Sequence, residues 1–333
     1  MQKTIEKTKK IFNDKGEITF GGWSRFPLFE YNKNDYPQKI KLTEKDCYYI
    51  TDGKIGFYLA VETAGLELTV RLMLCDYARG EIYSDSVNRK FLLDMPVLPE
   101  SGTLGEFSYK DKRIALTLTN TFEGRYIKCD FIDFNNYKNL FVKVLVKKTS
   151  GESMNTIAPF DASPKSFYLK RFAPKFSASG VIRLGGTDYN LSDLCCPVYL
   201  DWSRYSFPRR QKAQFLSGLA YTGGRKIAVN LASRLGNNAK GSENCYFIGD
   251  KLYKFGRLAV SGDEKNPESE WSFTSPDGTD SIVFTPKKTD AGVLACKCER
   301  MNAVFGTISG TLVNEDEKLE LKDLPSHLLF AQL

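Results

Sequence analysis

Apolar and polar residues alternate along most of this chain. Thr117-Leu118-Thr119 and Val142-Lys143-Val144 switch character at every position, which is the period of a half-buried strand and not of a helix. The same style runs through 105–110, 114–120, 124–131 and 140–147. From Asp46 onward the apolar residues are denser, and Asp52-Gly53-Lys54 and Ala64-Gly65-Leu66 cut the stretch into three strands. Pro96, Pro99 and Gly102 interrupt the pattern. Residues 149–164 interrupt it again with Ser150-Gly151-Glu152-Ser153, Pro159 and Pro164.

The second half resumes with strands expected at 166–173, 180–185, 197–203, 213–222, 225–232, 244–249, 251–260, 271–275, 281–285, 293–298, 303–313 and 317–322. Segments 186–194 and 204–212 read as irregular, and Gly185-Gly186 and Gly223-Gly224 as hairpin turns. Many short strands without helical crossovers predict antiparallel barrels or sandwiches. A length of 333 residues exceeds what one core usually supports. The expected division is therefore two β domains, 1–155 and 156–333.

Composition changes this picture little. Aromatics reach 13%, with 23 Phe and 17 Tyr, which suits pleated surfaces. The net charge is 47 − 40 = +7, but the basic residues are scattered. Nucleic-acid binders gather theirs on one face, so no nucleic-acid partner is expected. Residues 1–10 lack the apolar core of a secretory signal, and no stretch is long and apolar enough to cross a bilayer as a helix. A cytoplasmic protein is the expectation.

Eight cysteines show no paired zinc spacing. They read as small core residues. His327 is the single histidine, so a histidine-based triad or metal site would depend on it alone. Neither a P-loop nor a dinucleotide fingerprint is present. No metal and no cofactor are expected.

Candidate chemistry concentrates in residues 198–255. Asp201 follows the apolar run Val198-Tyr199-Leu200. In a strand it shares a face with Ser203 while Trp202 takes the other. Its carboxylate either pairs with Arg204 or sits in a pocket with a raised pKa, where it could serve as a general acid. Asn230 lies among aliphatics and Glu243-Asn244 precede a strand. Both amides are candidate ligand contacts, and Glu243 is a second candidate carboxylate. Gly21-Gly22-Trp23-Ser24-Arg25-Phe26-Pro27 is a candidate lid or plug. The alternative is that Trp23 simply covers a barrel end. Trp23, Arg25 and Trp202 complete the ligand-binding candidates.

The order of several short motifs carries a resemblance. These are Gly22-Trp23-Ser24-Arg25-Phe26-Pro27, Lys175-Phe176-Ser177-Ala178-Ser179-Gly180, Leu200-Asp201-Trp202-Ser203-Arg204 and Gly249-Asp250-Lys251-Leu252-Tyr253-Lys254. Phe284-Thr285-Pro286 and Val304-Phe305-Gly306 follow. Together they resemble the bacterial family called domain of unknown function 2804, itself similar to the carotenoid 1,2-hydratase and tocopherol cyclase group. The resemblance implies tandem lipocalin-like β-barrel or sandwich domains with a pocket in or between them. It also implies a lipophilic ligand, with Asp201 matching the residue that protonates a double bond. The family's Gly-x-Trp-Pro-Tyr after the Asp-Trp segment is replaced here by Tyr205-Ser206-Phe207-Pro208-Arg209-Arg210, which points to a more polar or occluded cavity.

Three functions remain open on the sequence. One is a module that binds a small apolar or amphipathic molecule. The second is a cofactor-independent hydratase, cyclase or isomerase with Asp201 as acid and Arg204 tuning it. The third is a carbohydrate-active protein using Asp201 and Glu243.

Overall fold

The computed structural model describes residues 2–333 apart from positions 137, 234, 236 and 264. Among the described residues there is no α-helix, and helical structure is confined to the single 3₁₀ turns Lys33–Asp35 and Lys39–Lys41. The remainder is dominated by two large antiparallel sheets. The all-β class expected from the alternation holds, as does the tandem lipocalin-like architecture that the resemblance implies.

The first sheet has thirteen strands. Its central order runs Glu81–Lys90, Glu67–Asp76, Ile55–Ala64, Thr43–Thr51, Pro197–Ser206, Ser163–Leu184, Lys138–Lys148, Gly124–Phe134, Ile114–Asn120 and Gly105–Lys110. The sheet curls until its two ends approach each other. Arg113 Nη2 donates to Asp85 Oδ2 at 2.7 Å and Arg89 Nη2 lies 2.9 Å from Asp111 Oδ2 across that gap. The 22-residue strand Ser163–Leu184 turns the corner at a register break between Ala173 and Phe176. Its first half pairs with Met154–Phe160 and Pro197–Ser206, and its second with Lys138–Lys148 and Thr187–Leu191.

The second sheet has ten strands, all from 212–332. The long hairpin of Met301–Val313 and Lys318–Gln332 lies at its middle, next to Lys212–Thr222. The chain thus passes from one sheet to the other between Ser206 and Lys212. The expected division after residue 155 falls within the strand Met154–Phe160 of the first sheet. Hydrogen-bonded pairing and the division into independently folding domains are separate matters.

Three apolar layers result. The first sheet encloses one, including Tyr48, Phe57, Leu59, Phe107, Phe131 and Trp202. The second sheet encloses another, including Ile227, Val229, Trp271, Phe284 and Ile308. The third is the seam between the sheets, where Tyr49, Tyr58, Phe172 and Tyr199 meet Phe215, Phe247, Phe305 and Leu329. This explains two kinds of strand sequence. Ile114–Asn120 alternates buried and half-exposed residues because one face meets solvent. Pro197–Ser206 is buried at every position because one face lines the first lumen and the other the seam.

The structure departs from the sequence expectation in several places. Residues 204–206 continue their strand, since Leu169, Tyr168 and Phe167 of the neighbouring strand supply partners for them. Thr187–Leu191 folds back on Ser163–Leu184 through Gly185, whose φ of 57° a side chain would strain. Residues 251–260 form two short strands, Lys251–Lys254 and Ala259–Ser261, at opposite ends of the second sheet. The segment read as a candidate lid is built into the first sheet. Gly22–Ser24 pairs with Met154–Phe160 and Trp23 is buried.

Candidate functional site

Alternation decides which side chains reach the seam. On Ser163–Leu184 the residues Tyr168, Lys170 and Phe172 face it, while Arg171 faces the first lumen. On Pro197–Ser206 the seam side carries Tyr199, Asp201, Ser203 and Tyr205, and the lumen side carries Leu200, Trp202 and Arg204. The second sheet contributes Asn230 from Arg225–Ser233, and Glu243 from the loop before Cys245–Ile248.

These groups form one buried polar cluster. Lys170 Nζ lies 3.2 Å from Asp201 Oδ2 and forms a still closer ion pair with Glu243. It also donates to Asn230 Oδ1 at 3.3 Å. Glu243 accepts from Tyr168 Oη at 2.8 Å and from Asn230 Nδ2 at 2.8 Å. Asp201 accepts from Ser203 Oγ at 2.6 Å, and Lys45 Nζ stands 3.7 Å from its other oxygen. Lys170 and Glu243 side chains are each 2% exposed, whereas Asp201 and Lys45 are each 12% exposed. The cluster is closed at Lys170 and reaches a rim at Asp201.

The two lysines decide the protonation of Asp201. Burial pushes its carboxyl up, but Lys170 and Lys45 together with the Ser203 hydroxyl hold it below the ordinary value. Burial likewise disfavours the Lys170 ammonium, and Asp201 and Glu243 more than offset this, so Lys170 is held above its usual range. Burial and then Glu243 keep the Tyr168 phenol protonated well beyond the usual pH. Asp201 is therefore an ionised carboxylate beside the two lysine side chains. The neutral general acid expected from the sequence needs a raised pKa, and these cations remove it.

Arg204 does not tune Asp201. It points to the opposite face, fully buried, with Nε 3.1 Å from Glu44 Oε1 and Nη1 2.9 Å from Asp46 Oδ1. Trp202 shares that lumen face, and the Arg204 guanidinium lies 4.3 Å from its ring. Trp23 packs in the seam's apolar layer. Arg25 Nη1 donates to Glu152 at 2.6 Å and to the Leu252 carbonyl at 2.5 Å, tying the N-terminal arm to the second sheet. Asn244 Oδ1 accepts from the Ala232 backbone at 2.8 Å. Of the eight residues singled out on the sequence, the structure brings together Asp201, Glu243 and Asn230.

Lys170, Tyr168, Ser203 and Lys45 complete the cluster. Lys170 was readable in principle: in Ser166-Phe167-Tyr168-Leu169-Lys170-Arg171-Phe172 the alternation puts a phenol and an ammonium on one face of an aromatic strand. His327 lies deeper in the same seam. Its Nε2 is 2.8 Å from Tyr199 Oη and burial pushes its pKa down to about 3. Among the described residues no group of three or more metal-ligating side chains is clustered.

A family profile spans residues 2–328, nearly the whole chain. The chain belongs to the domain of unknown function family DUF2804. No curated protein matches this DUF2804 chain in sequence. Solved structures do match in shape. Kievitone hydratase from Nectria haematococca aligns with a TM-score of 0.53 at 10% identity, covering 97% of this chain and 98% of its own. A protein of Nitrosomonas europaea assigned as an AttH aligns with a TM-score of 0.51 at 10% identity, covering 90% and 93%. At these identities the likeness is one of fold. No helix among the described residues is long and apolar enough to cross a membrane.

Proposed function

We propose that this DUF2804 protein binds a small amphipathic molecule at the seam and acts on it by cofactor-independent proton transfer, as an isomerase or hydratase. The observation that carries this reading is the ionised Asp201 at the rim of a buried cluster, flanked by the ammoniums of Lys170 and Lys45. A buried ion cluster contributes little net stability, whereas ionisable groups with perturbed pKa values at a partly open site are the usual apparatus of acid–base chemistry.

The chemistry follows from the charges. Asp201 takes a proton from a carbon next to a carbonyl. The C–H electron pair then moves onto the carbonyl oxygen, where the two ammoniums stabilise the developing negative charge. Returning the proton to another carbon completes an isomerisation. Alternatively, Asp201 takes a proton from water as it adds to a carbonyl-conjugated double bond, and a proton reaches the neighbouring carbon. Hydration is also the activity in the Nectria haematococca protein's name.

The apolar-carrier reading draws less support, because Tyr48, Phe57, Phe107 and Phe131 fill the first lumen. The carbohydrate reading draws less again, since Asp201 and Glu243 share one ammonium rather than face each other across a groove.

Proton transfer can be read without knowing the substrate. Protein is incubated in D2O with a panel of small enones and ketones, and mass spectrometry follows deuterium entering carbon. Wild type is expected to label at least one compound. Asp201→Asn is expected to abolish labelling with the ligand's affinity within a few-fold and the fold intact by circular dichroism. If Asp201→Asn instead unfolds the chain, or labels as fast as wild type, Asp201 is a structural partner of Lys170 and the reading is wrong.

A further inference from the structure

A second polar region lies on the other side of the same strands, in the first lumen. A cavity of about 90 Å³ is lined by Arg125, Arg171, Lys148 and Lys175, with Gly102, Phe176 and Leu200 among its walls. Among the described residues no carboxylate lines it. Asp46, whose charge also reaches Arg171, is engaged by Arg204, as is Glu44.

The basic groups are underused. Arg125 is 6% exposed, and its buried Nε has no hydrogen-bond partner among the described residues. Its guanidinium donates to the Gly102 carbonyl through Nη2 and stacks 4.5 Å from the Phe176 ring. Arg171 donates from Nε to Asn155 Oδ1 at 3.0 Å and forms no ion pair among the described residues. It lies 5.2 Å from the ring of Trp202, whose buried indole N–H also lacks a partner. Gly102 brings its backbone close to this guanidinium, since a Cβ there would come 2.8 Å from Arg171 Nη1. Lys175 donates to the Gly151 carbonyl at 3.3 Å.

Arg125 is buried and Arg171 and Lys175 are half-buried beside the exposed Lys148, and cations withdrawn from water with so little counter-charge are costly. From the unpaired Arg125 and its three basic neighbours we infer that this cavity is a binding site for a phosphate-sized oxyanion. The volume is roughly three times the ~30 Å³ that one water occupies in the liquid. That is room enough for one oxyanion group. Planar guanidiniums suit such a group because their paired N–H donors match its oxygens. Burial first, and then the charges of Arg125 and Arg204, push Arg171 down to about 10 against the opposing charge of Asp46. The site stands apart from the seam: Arg171 and Leu200 face the lumen where Lys170 and Asp201 face the other way.

Calorimetric titration of the full chain with inorganic phosphate, at ionic strength held constant with chloride, tests this. Saturable binding is expected for wild type. Arg171→Gln and Lys175→Gln should each weaken it at least about tenfold, while the exposed Arg209→Gln/Arg210→Gln pair should leave it unchanged. No saturable binding to wild type overturns the inference even if the variants fail to fold, as does equal binding in all variants. A panel of small phosphate monoesters separates the sources. Tighter binding than inorganic phosphate marks the site as the headgroup pocket of a larger ligand, and equal binding marks free phosphate as the ligand.

Discussion

Lys170→Met isolates the charge at the centre of the seam. Methionine keeps an unbranched apolar stem beside Phe172 and Phe215, which lie 5.9 and 5.2 Å from Nζ, and removes only the ammonium. Asp201 is then left with Lys45 at 3.7 Å and the Ser203 hydroxyl. Glu243 keeps Tyr168 and Asn230. Breaking a buried ion pair from one side costs about 3–5 kcal/mol. The partial exposure of Asp201 places the expected loss near the lower end, still a large part of the ~5–15 kcal/mol that holds a domain together.

The loss should depend on pH with a definite sign. In wild type the folded pKa of Asp201 lies below its unfolded value of 3.8, so its contribution is present above that value and fades as pH falls through the folded one. The folded pKa of Lys170 lies above 10.5, so its contribution is full below 10.5 and fades as pH rises through the folded value. Neither group makes wild-type stability change between about pH 5 and 9. In the variant the Lys170 ammonium no longer lowers the Asp201 carboxyl, so burial pushes its pKa up against only Lys45 and Ser203, and its destabilisation then grows as pH rises. Urea unfolding of both proteins at about pH 8 and pH 5 reads the difference. A deficit below about 1 kcal/mol at pH 8, or one of equal size at both pH values, would refute the reasoning.

Two further outcomes follow from other buried groups. His327 is the lone histidine, and its depressed folded pKa, about 3 against 6.5 unfolded, makes its contribution full above 6.5 and progressively lost as pH falls toward 3. Wild type should therefore lose about 2 kcal/mol between pH 7 and 5, a slope that His327→Phe removes. Parallel decline of the two proteins in urea titrations would rule this out. Of the eight cysteines, Cys195 is exposed, Cys296 and Cys298 are half-buried and the other five are buried. A thiol titration of native protein should find one fast group, lost in Cys195→Ser; two or more fast groups in that variant would contradict the packing described.

The fold was legible where one face of a strand meets water. Ile114–Asn120 and Lys138–Lys148 alternate in burial as they alternate in sequence. The central strands were legible as strands but not as shared walls. Nothing local says that Pro197–Ser206 is buried on both faces, because the residues covering its second face arrive from 212–332. The same limit applied to the site. Alternation correctly set Asp201 and Ser203 on one face, and by the same rule it sets Arg204 with Trp202 on the other. Pairing Asp201 with Arg204 followed closeness in sequence over that rule. Lys170 escaped notice because its partners lie 31 and 73 residues away in the chain, a separation that no local pattern encodes.

The division of the cluster between the two sheets bears on how a substrate could reach it. Lys170, Tyr168 and Asp201 stand on strands of the first sheet, whereas Glu243 and Asn230 belong to the second. Parting the seam leaves both ladders of backbone hydrogen bonds intact. Opening either lumen instead requires breaking a ladder, and each unmade backbone bond carries its own penalty. The polar contacts that cross the seam here are Lys170 with Glu243, Tyr168 with Glu243, and Lys170 with Asn230. On the proposed function, a ligand bearing a carbonyl or hydroxyl would take over those contacts as it enters by the rim at Asp201 and Lys45. On that reading, the groups that meet across the seam without ligand are the groups that would meet its polar end.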